Sequence, residues 1–340
     1  MSQSPFSIEF QENVSPQGAT DGLNKHFDQD DHVLAVIDFS SKTESLSKIK
    51  PIFSTALNNL DDSSLLEVWK SAEPVKTKTQ GDLLLSWNSE ILFGFIQLNE
   101  ADFDSLIAAS ESAYQQILSA LNQHSKHSKL LRIWNYFSAI NDDSSGLERY
   151  REFCLGRQNA LDQFDNFPYS PPAATAIGTS NGELQVYFIA SHDAGMQLEN
   201  PRQTSAFLYP KEYGEVSPAF SRATYKRWNK QSDHLYISGT TSIVGSKSQH
   251  LGDVTQQLKE TLKNVEALIQ HGFETLDLSI QQLEQVSHLK VYLRDASLLP
   301  LVKQLLEKRF STSQQSPTIL YLQGDVCRAD LLVEIEAGFV

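Results

Sequence analysis

The same succession of elements is written twice along this chain. In the first half, HVLAVIDF (His32–Phe39) and the stretch Leu83–Leu98, with LLLSWNS and ILFGFIQL, are rich in branched and aromatic residues and predict a strand and then a hairpin. Asp102–Leu121 follows, with Leu106, Ile107, Tyr114, Ile117, Leu118 and Leu121 at helical spacing. LLRIWNYF (Leu130–Phe137) predicts a strand, and a turn at Asn141–Gly146 leads to a second helix, Leu147–Phe164. ATAIGTS and ELQVYFIAS close this half as strands joined through Asn181-Gly182, a hairpin signal. The second half repeats the order: strand His234–Val244, helix Gly252–Gln270, strand His288–Asp295, helix Leu298–Phe310, then TILYLQGDV and LLVEIEAGFV. Duplication of an α+β unit follows, each unit a mixed sheet with helices packed on one face. Chance recurrence of a common βαβα order is the plain alternative.

A chain of 340 residues exceeds one compact domain, so two domains are expected to share an interface. The partition runs from a loose, polar N-terminal arm (1–30) to an N-terminal domain (31–199), a connecting segment (200–228) and a C-terminal domain (229–340). The connecting segment, NPRQTSAFLYPKEYGEVSPAFSRATYKRW, is too aromatic for a linker and reads as irregular backbone lining a cleft. Against 28 Lys and Arg stand 42 Asp and Glu, a net charge of −14 that repels nucleic acid and anionic lipid surfaces. An anionic ligand would therefore need local arginines to override the global field.

Cys154 and Cys327 are far apart and lack any Cys/His ligand spacing, which points away from a disulfide framework or a zinc site and suits the cytoplasm. The N-terminus has no basic start or apolar core of a signal peptide, and no apolar run approaches the roughly 20 residues of a membrane span. The histidines show no HxH or HExxH spacing, and neither a P-loop nor GxGxxG occurs. No metal or other cofactor is expected.

The last strand carries the sharpest question. With alternating side chains, Leu331, Val333 and Ile335 face one way and Leu332, Glu334 and Glu336 the other. A glutamate there is either an exposed edge residue, the commoner case, or a buried acid whose pKa rises from about 4.3 until it can donate a proton near neutrality. Cys327 is either a small packed hydrophobe or a nucleophile. Gly239 is either a turn glycine or a place where a ligand touches backbone. Arg157, Arg202, Arg222 and Arg294 are each surface or ion-pair residues or else clamps for carboxylates, and Tyr209 and Tyr213 either pack or bind.

These residues sit in longer motifs that occur together in order. LLRIWNYFSAIN, GLERYREFCLGRQNAL, NPRQTSAFLYPKEYG, SPAFSRA, LYISGTTSIVG and GDVCRADLLVEIEA resemble the chorismatase family, whose members remove pyruvate from chorismate. The resemblance runs from about Leu83 to the C-terminus, and the part from about Asp233 is similar to a RidA/YjgF-like (chorismate mutase-like) unit. It implies an enzyme with two such units. Glu334 becomes the general acid that protonates the terminal methylene of the enolpyruvyl group. Arg157, Arg202, Arg222 and Arg328 become candidates for holding the substrate's two carboxylates, with Tyr209 and Tyr213 supplying hydrogen bonds. Gly239 and Cys327 match the branch that yields 3-hydroxybenzoate by intramolecular displacement; other branches yield a dihydroxycyclohexadienoate by hydrolysis, or 4-hydroxybenzoate. A RidA-like hydrolase of reactive imines and a non-catalytic aromatic-acid sensor are the competing classes. Both monomer and homotrimer fit the chain, and hydroxybenzoate starter units for secondary metabolism are the implied destination.

Overall fold

The structure, a computed structural model, describes residues 4–12, 27, 29–39, 47–61, 65–143, 146–164, 171–279, 281–311 and 316–340. A first small sheet is built from β1 (Phe6–Glu12), β2 (Val33–Asp38), β3 (Ile52–Ser54) and β5 (Leu65–Ser71), in the order β1-β5-β2-β3; the short β4 (Asn58–Asn59) lies between β3 and β5 in sequence. Phe6–Glu12 therefore belongs to no loose arm: it pairs antiparallel with β5 along its whole length. Phe6 is buried against Trp69, with ring centroids 5.3 Å apart. The rest of the proposed arm lies largely outside the described residues.

The first unit comprises β6 (Lys76–Gln80), β7 (Leu83–Trp87), β8 (Ile91–Asn99), α1 (Leu106–Gln123), β9 (Lys129–Ser138), α2 (Arg149–Asp162), β10 (Ala173–Thr179) and β11 (Glu183–Ser191). The second contains β12 (Met196–Leu198), β13 (Ala223–Asn229), β14 (Ser232–Thr241), the hairpin β15 (Ile243–Val244) and β16 (Lys247–Ser248), α3 (Val254–Thr275), β17 (His288–Leu293), α4 (Leu299–Phe310), β18 (Thr318–Gln323), β19 (Asp325–Val326) and β20 (Val333–Phe339). Two of the helices start at a capping side chain. Ser105 accepts from Ala108 N–H at 3.3 Å before α1, and Asp253 from Gln256 N–H at 3.0 Å before α3.

The duplication expected from sequence is repeated in space. The second sheet contains the order β8-β11-β9-β10 and the third the order β14-β20-β17-β18, with β9/β10 and β17/β18 parallel. In each of these four-strand sets the strand that comes last in sequence lies between the first two, β11 between β8 and β9 and β20 between β14 and β17. The Asn181-Gly182 hairpin is accordingly corrected: β10 and β11 are not partners, because β9 lies between them. The crossover through α2 sets β10 parallel to β9 on one side, leaving the gap between β9 and β8 for β11, so residues 180–182 pass over the end of β9. GTSNG at Gly178–Gly182 has the G-x-S-x-G form, but it links strand to strand and lacks the strand-to-helix turn that makes a nucleophile elbow.

Helices α1 and α2 cover one face of the second sheet, where Ile117, Leu121 and Phe153 meet Val186 and Phe188. Gly156 permits their close approach, since a Cβ there would lie 2.2 Å from the Ile107 carbonyl. Helices α3 and α4 cover the third sheet through Leu258, Val265, Val302 and Leu306 against Val333 and Ile335. The opposite faces of these sheets, with the first sheet, enclose a central core containing Trp69, Phe93, Trp134, Tyr136, Tyr187 and Tyr292. The architecture is α+β, with helices on one face of each mixed sheet. Two strands cross between the halves: β4 edges the third sheet, and β19 edges the second. The connecting segment is less irregular than expected, because Ala223–Asn229 forms β13 and only the part before it consists of short turns and coil.

Candidate active site

Strand β20 lies between β14 and β17, so its side chains have no open edge to turn to. Val333 and Ile335 enter the helix-covered core; Glu334 and Glu336 face the other way and are nonetheless buried, at 4% and 3% exposure. The exposed-edge reading of Glu334 is thus excluded. Its carboxyl reaches a cavity of about 210 Å³ walled by β10, the start of α2, the two turns of the connecting segment, the end of β14 and the loop after β19.

The pairing of β14 with β20 slips between Ile237 and Thr240, a β-bulge containing Gly239. A Cβ on Gly239 would lie 1.8 Å from Glu334 Oε1, so the carboxyl occupies the space that any side chain would need. The Gly239 N–H donates to Thr175 Oγ1 at 3.0 Å, which fixes the bulge to β10.

The two glutamates have opposite electrostatics. Burial of Glu334, reinforced by the negative charge of Glu336, pushes its pKa up to about 8 despite the pull of Arg132 and Arg222. For Glu336, burial alone would act in the same direction, but Lys290 and Arg132 reverse it and hold the group down at about 2. Burial thus favours the neutral form of one carboxyl while two cations favour the charged form of its neighbour, a divergence of the kind acid–base sites use.

Of the residues selected from sequence, Glu334, Gly239, Cys327, Arg157, Tyr209, Tyr213, Arg222 and Arg328 all line this cavity. Tyr150, Cys154 and Arg157 share one face of α2 at i, i+4 and i+7, and the Arg157 guanidinium lies 5.3 Å from the Phe153 ring centroid. Arg222 donates to Tyr209 Oη and the Thr204 carbonyl, each at 2.8 Å. Arg328 stacks 4.1 Å from the Tyr213 ring centroid while donating to the Ser246 carbonyl at 2.8 Å. Arg202 does not join them. It is bound to α3 through Glu260 Oε1 at 2.5 Å and Asn264 Oδ1 at 2.6 Å, and so fastens the connecting segment to that helix. Arg294 is also structural: it donates to the carbonyls of Val326 and Arg328, each at 2.9 Å, and holds the loop that carries Cys327.

Sequence reasoning missed Arg151, Glu148, Asn135, Thr175 and Phe220, which also line the cavity. Arg151 pairs with Glu148 at 3.3 Å, and Asn135 is oriented by Tyr114 Oη at 2.7 Å. The helical spacing of Tyr150 and Arg157 is a signal that could have marked α2 as a wall. Asn135 and Thr175 become neighbours only through the pairing of β9 with β10.

Cys327 lines the cavity as a neutral thiol, for burial and then the Glu334 carboxyl push its pKa up to about 12. Cys154 is raised as well, chiefly by burial. A thiol so far from its thiolate is a poor nucleophile. Iodoacetamide at neutral pH is expected to leave both cysteines unmodified in the folded protein and to alkylate both after denaturation. Mass spectrometry of the digest reads this, and native-state labelling of Cys327 would show an activated thiol instead.

Residues 67–190 match the family model described as "Chorismatase FkbO/Hyg5-like, N-terminal". A 3-hydroxybenzoate synthase of Streptomyces hygroscopicus is 37% identical over 239 residues, covering 67% of this chain and 68% of the relative. A chorismatase of Streptomyces rapamycinicus is 33% identical over 318 residues, covering 91% of this chain and 93% of its own length. The crystal structure of a chorismatase superposes on the whole chain with a TM-score of 0.87 at 30% identity, each chain covered in full. By that identity sustained over nine-tenths of both sequences, the chain belongs to the chorismatase family.

Proposed function

We propose that this chorismatase releases pyruvate from chorismate to give 3-hydroxybenzoate, with Glu334 as the general acid. The observation that carries the reading is a buried carboxyl held against Gly239, its pKa pushed up by that burial, in a cavity that also presents Arg151, Arg157, Arg222 and Arg328. Chorismate is an enol ether bearing two carboxylates, and those guanidiniums offer charge-assisted hydrogen bonds to both. Glu334 gives its proton to the terminal methylene carbon, leaving an oxocarbenium-like centre. The ring C–O bond then breaks, its electrons forming the ketone of pyruvate. The neighbouring ring hydroxyl closes on the vacated carbon as an epoxide and gives up its proton. The oxygen's bond to its original carbon then breaks, the oxygen takes up a proton, and loss of the proton on the carbon that keeps it aromatises the ring, the one proton released in net restoring Glu334. Atoms balance without water, because pyruvic acid and 3-hydroxybenzoic acid together contain the atoms of chorismic acid. The small Gly239 and the neutral Cys327 support this branch by offering no polar group to order a competing water. Two unpaired thiols fit a reducing cytoplasm, and no described helix is long and apolar enough to cross a membrane.

Incubation of the purified protein with chorismate tests the reading. Pyruvate is followed through lactate dehydrogenase, and the ring product is identified by mass spectrometry. The expected ring product is 3-hydroxybenzoate; a dihydroxycyclohexadienoate, heavier by one water, would establish the hydrolytic outcome.

A further inference from the structure

Glu336 takes no part in the chemistry just described, yet it is the most heavily bonded carboxylate of the central core. It lies on the same face of β20 as Glu334, two residues and roughly 7 Å along the strand. Oε2 accepts from Arg132 at 2.8 Å and Thr175 Oγ1 at 2.7 Å; Oε1 accepts from Trp134 Nε1 at 2.8 Å and faces Lys290 at 3.3 Å. Lys290 also pairs with Glu67 Oε2 at 2.8 Å, and Glu67 Oε1 accepts from Trp69 Nε1 at 2.8 Å. Arg132, Lys290, Glu67 and Glu336 are all buried, and their charges cancel, as an ionic cluster out of water requires.

We propose that Glu336 is a positioning residue, a permanently ionised carboxylate that keeps the neighbouring Glu334 protonated and seated over Gly239. The inference rests on Glu334 being the acid. Two connections carry it. One is the field of a like charge on the same strand face. The other is a chain of hydrogen bonds from Gly239 N–H to Thr175 Oγ1 and on to Glu336, which anchors the bulge beneath the acid.

The surrounding groups leave Glu334 alone to change charge near neutrality. Facing Glu336 are Glu67 from β5, Arg132 and Tyr136 from β9, Tyr187 from β11, and His288, Lys290 and Tyr292 from β17. Burial, followed by Lys290, lowers His288 to about 3, and burial raises all three tyrosines. Facing Glu334 are Glu336, Arg132, Arg222 and the neutral Cys327 thiol. The first sheet thus contributes to the site through Glu67, which balances Lys290.

The pH profile of kcat/KM tests the assignment. Glu336→Gln removes the anion but keeps the shape, and the alkaline limb is expected to move to lower pH by about one to three units. Glu336→Asp, which restores the charge, is expected to return the limb toward its original position even if turnover is reduced. An unmoved limb in a folded, active Glu336→Gln protein overturns the proposal. Should that variant fail to fold, Lys290→Gln reads the same field with the opposite sign. The infrared carbonyl band that is absent from Glu334→Gln protein is then expected to titrate at higher pH than in the parent, measured without substrate. A parent midpoint in the ordinary carboxyl range overturns the proposal with no variant needed. Failure of the acid reading itself looks different: Glu334→Gln would keep its turnover.

Discussion

Glu334→Gln is expected to lower kcat for pyruvate release by about 10³-fold, within the range that a positioned general acid supplies. Glutamine fills the same volume between Gly239 and the arginines but has no proton for the methylene carbon, so substrate affinity is expected to change far less than turnover. In the parent enzyme the active form is protonated, and kcat/KM is expected to be flat below the Glu334 midpoint of about 8 and to fall tenfold per unit above it. A stability measurement separates lost chemistry from lost structure. The folded group titrates near 8 and the reference carboxyl near 4.5, so between these values the native state holds a proton that the unfolded chain has released. Stability therefore declines as pH rises through that window. Glutamine has no such proton to lose, and the variant is expected to melt at higher temperature than the parent on the alkaline side. Retained pyruvate release by a variant with normal melting would remove Glu334 from its role.

Gly239→Ala is the second large effect, expected to cost about 10²-fold in kcat with little loss of stability. The backbone at this position has no positive φ, so alanine is conformationally admissible. The obstacle is the acid itself, at 1.8 Å from the added carbon through Oε1 and 2.8 Å through Cδ, with the Thr175 methyl farther off at 3.3 Å. The carboxyl must swing away, and misplacing a reacting group by an ångström is sufficient for a loss of this size. Because both substitutions act through one carboxyl, their effects are not expected to add. Alanine at 239 is expected to cost little more in a Glu334→Gln background, and additive losses would mean that Gly239 serves the substrate directly.

The repeating strand and helix pattern made most elements of both units legible, because their periodicity is set by one covered face, as in Val254–Thr275 and the apolar side of β20. The misreadings have physical causes. Asn181-Gly182 is a turn signal, but a local signal cannot tell whether another strand already occupies the adjacent place. Phe6–Glu12 reads as polar because one side of that edge strand faces solvent, and its partner β5 lies about sixty residues away along the chain. Arg202 resembles its neighbours in sequence, and only the approach of α3 determines that Glu260 claims it. The central charges carried a legible hint. Glu67, Arg132, Lys290 and Glu336 are each flanked on both sides by apolar residues in a strand, and two cations and two anions so placed have one another as natural partners.

The interior position of β20 also governs how the protein must fold. Its neighbours β14 and β17 both precede it in the chain, as β8 and β9 precede β11, so its pairings with them close over long stretches of sequence. Pairings that close long loops are slow to form, so refolding is expected to be slow. Glu334 rides on that inserted strand, so a chain in which β20 has not paired is expected to lack the buried carboxyl that faces the cavity.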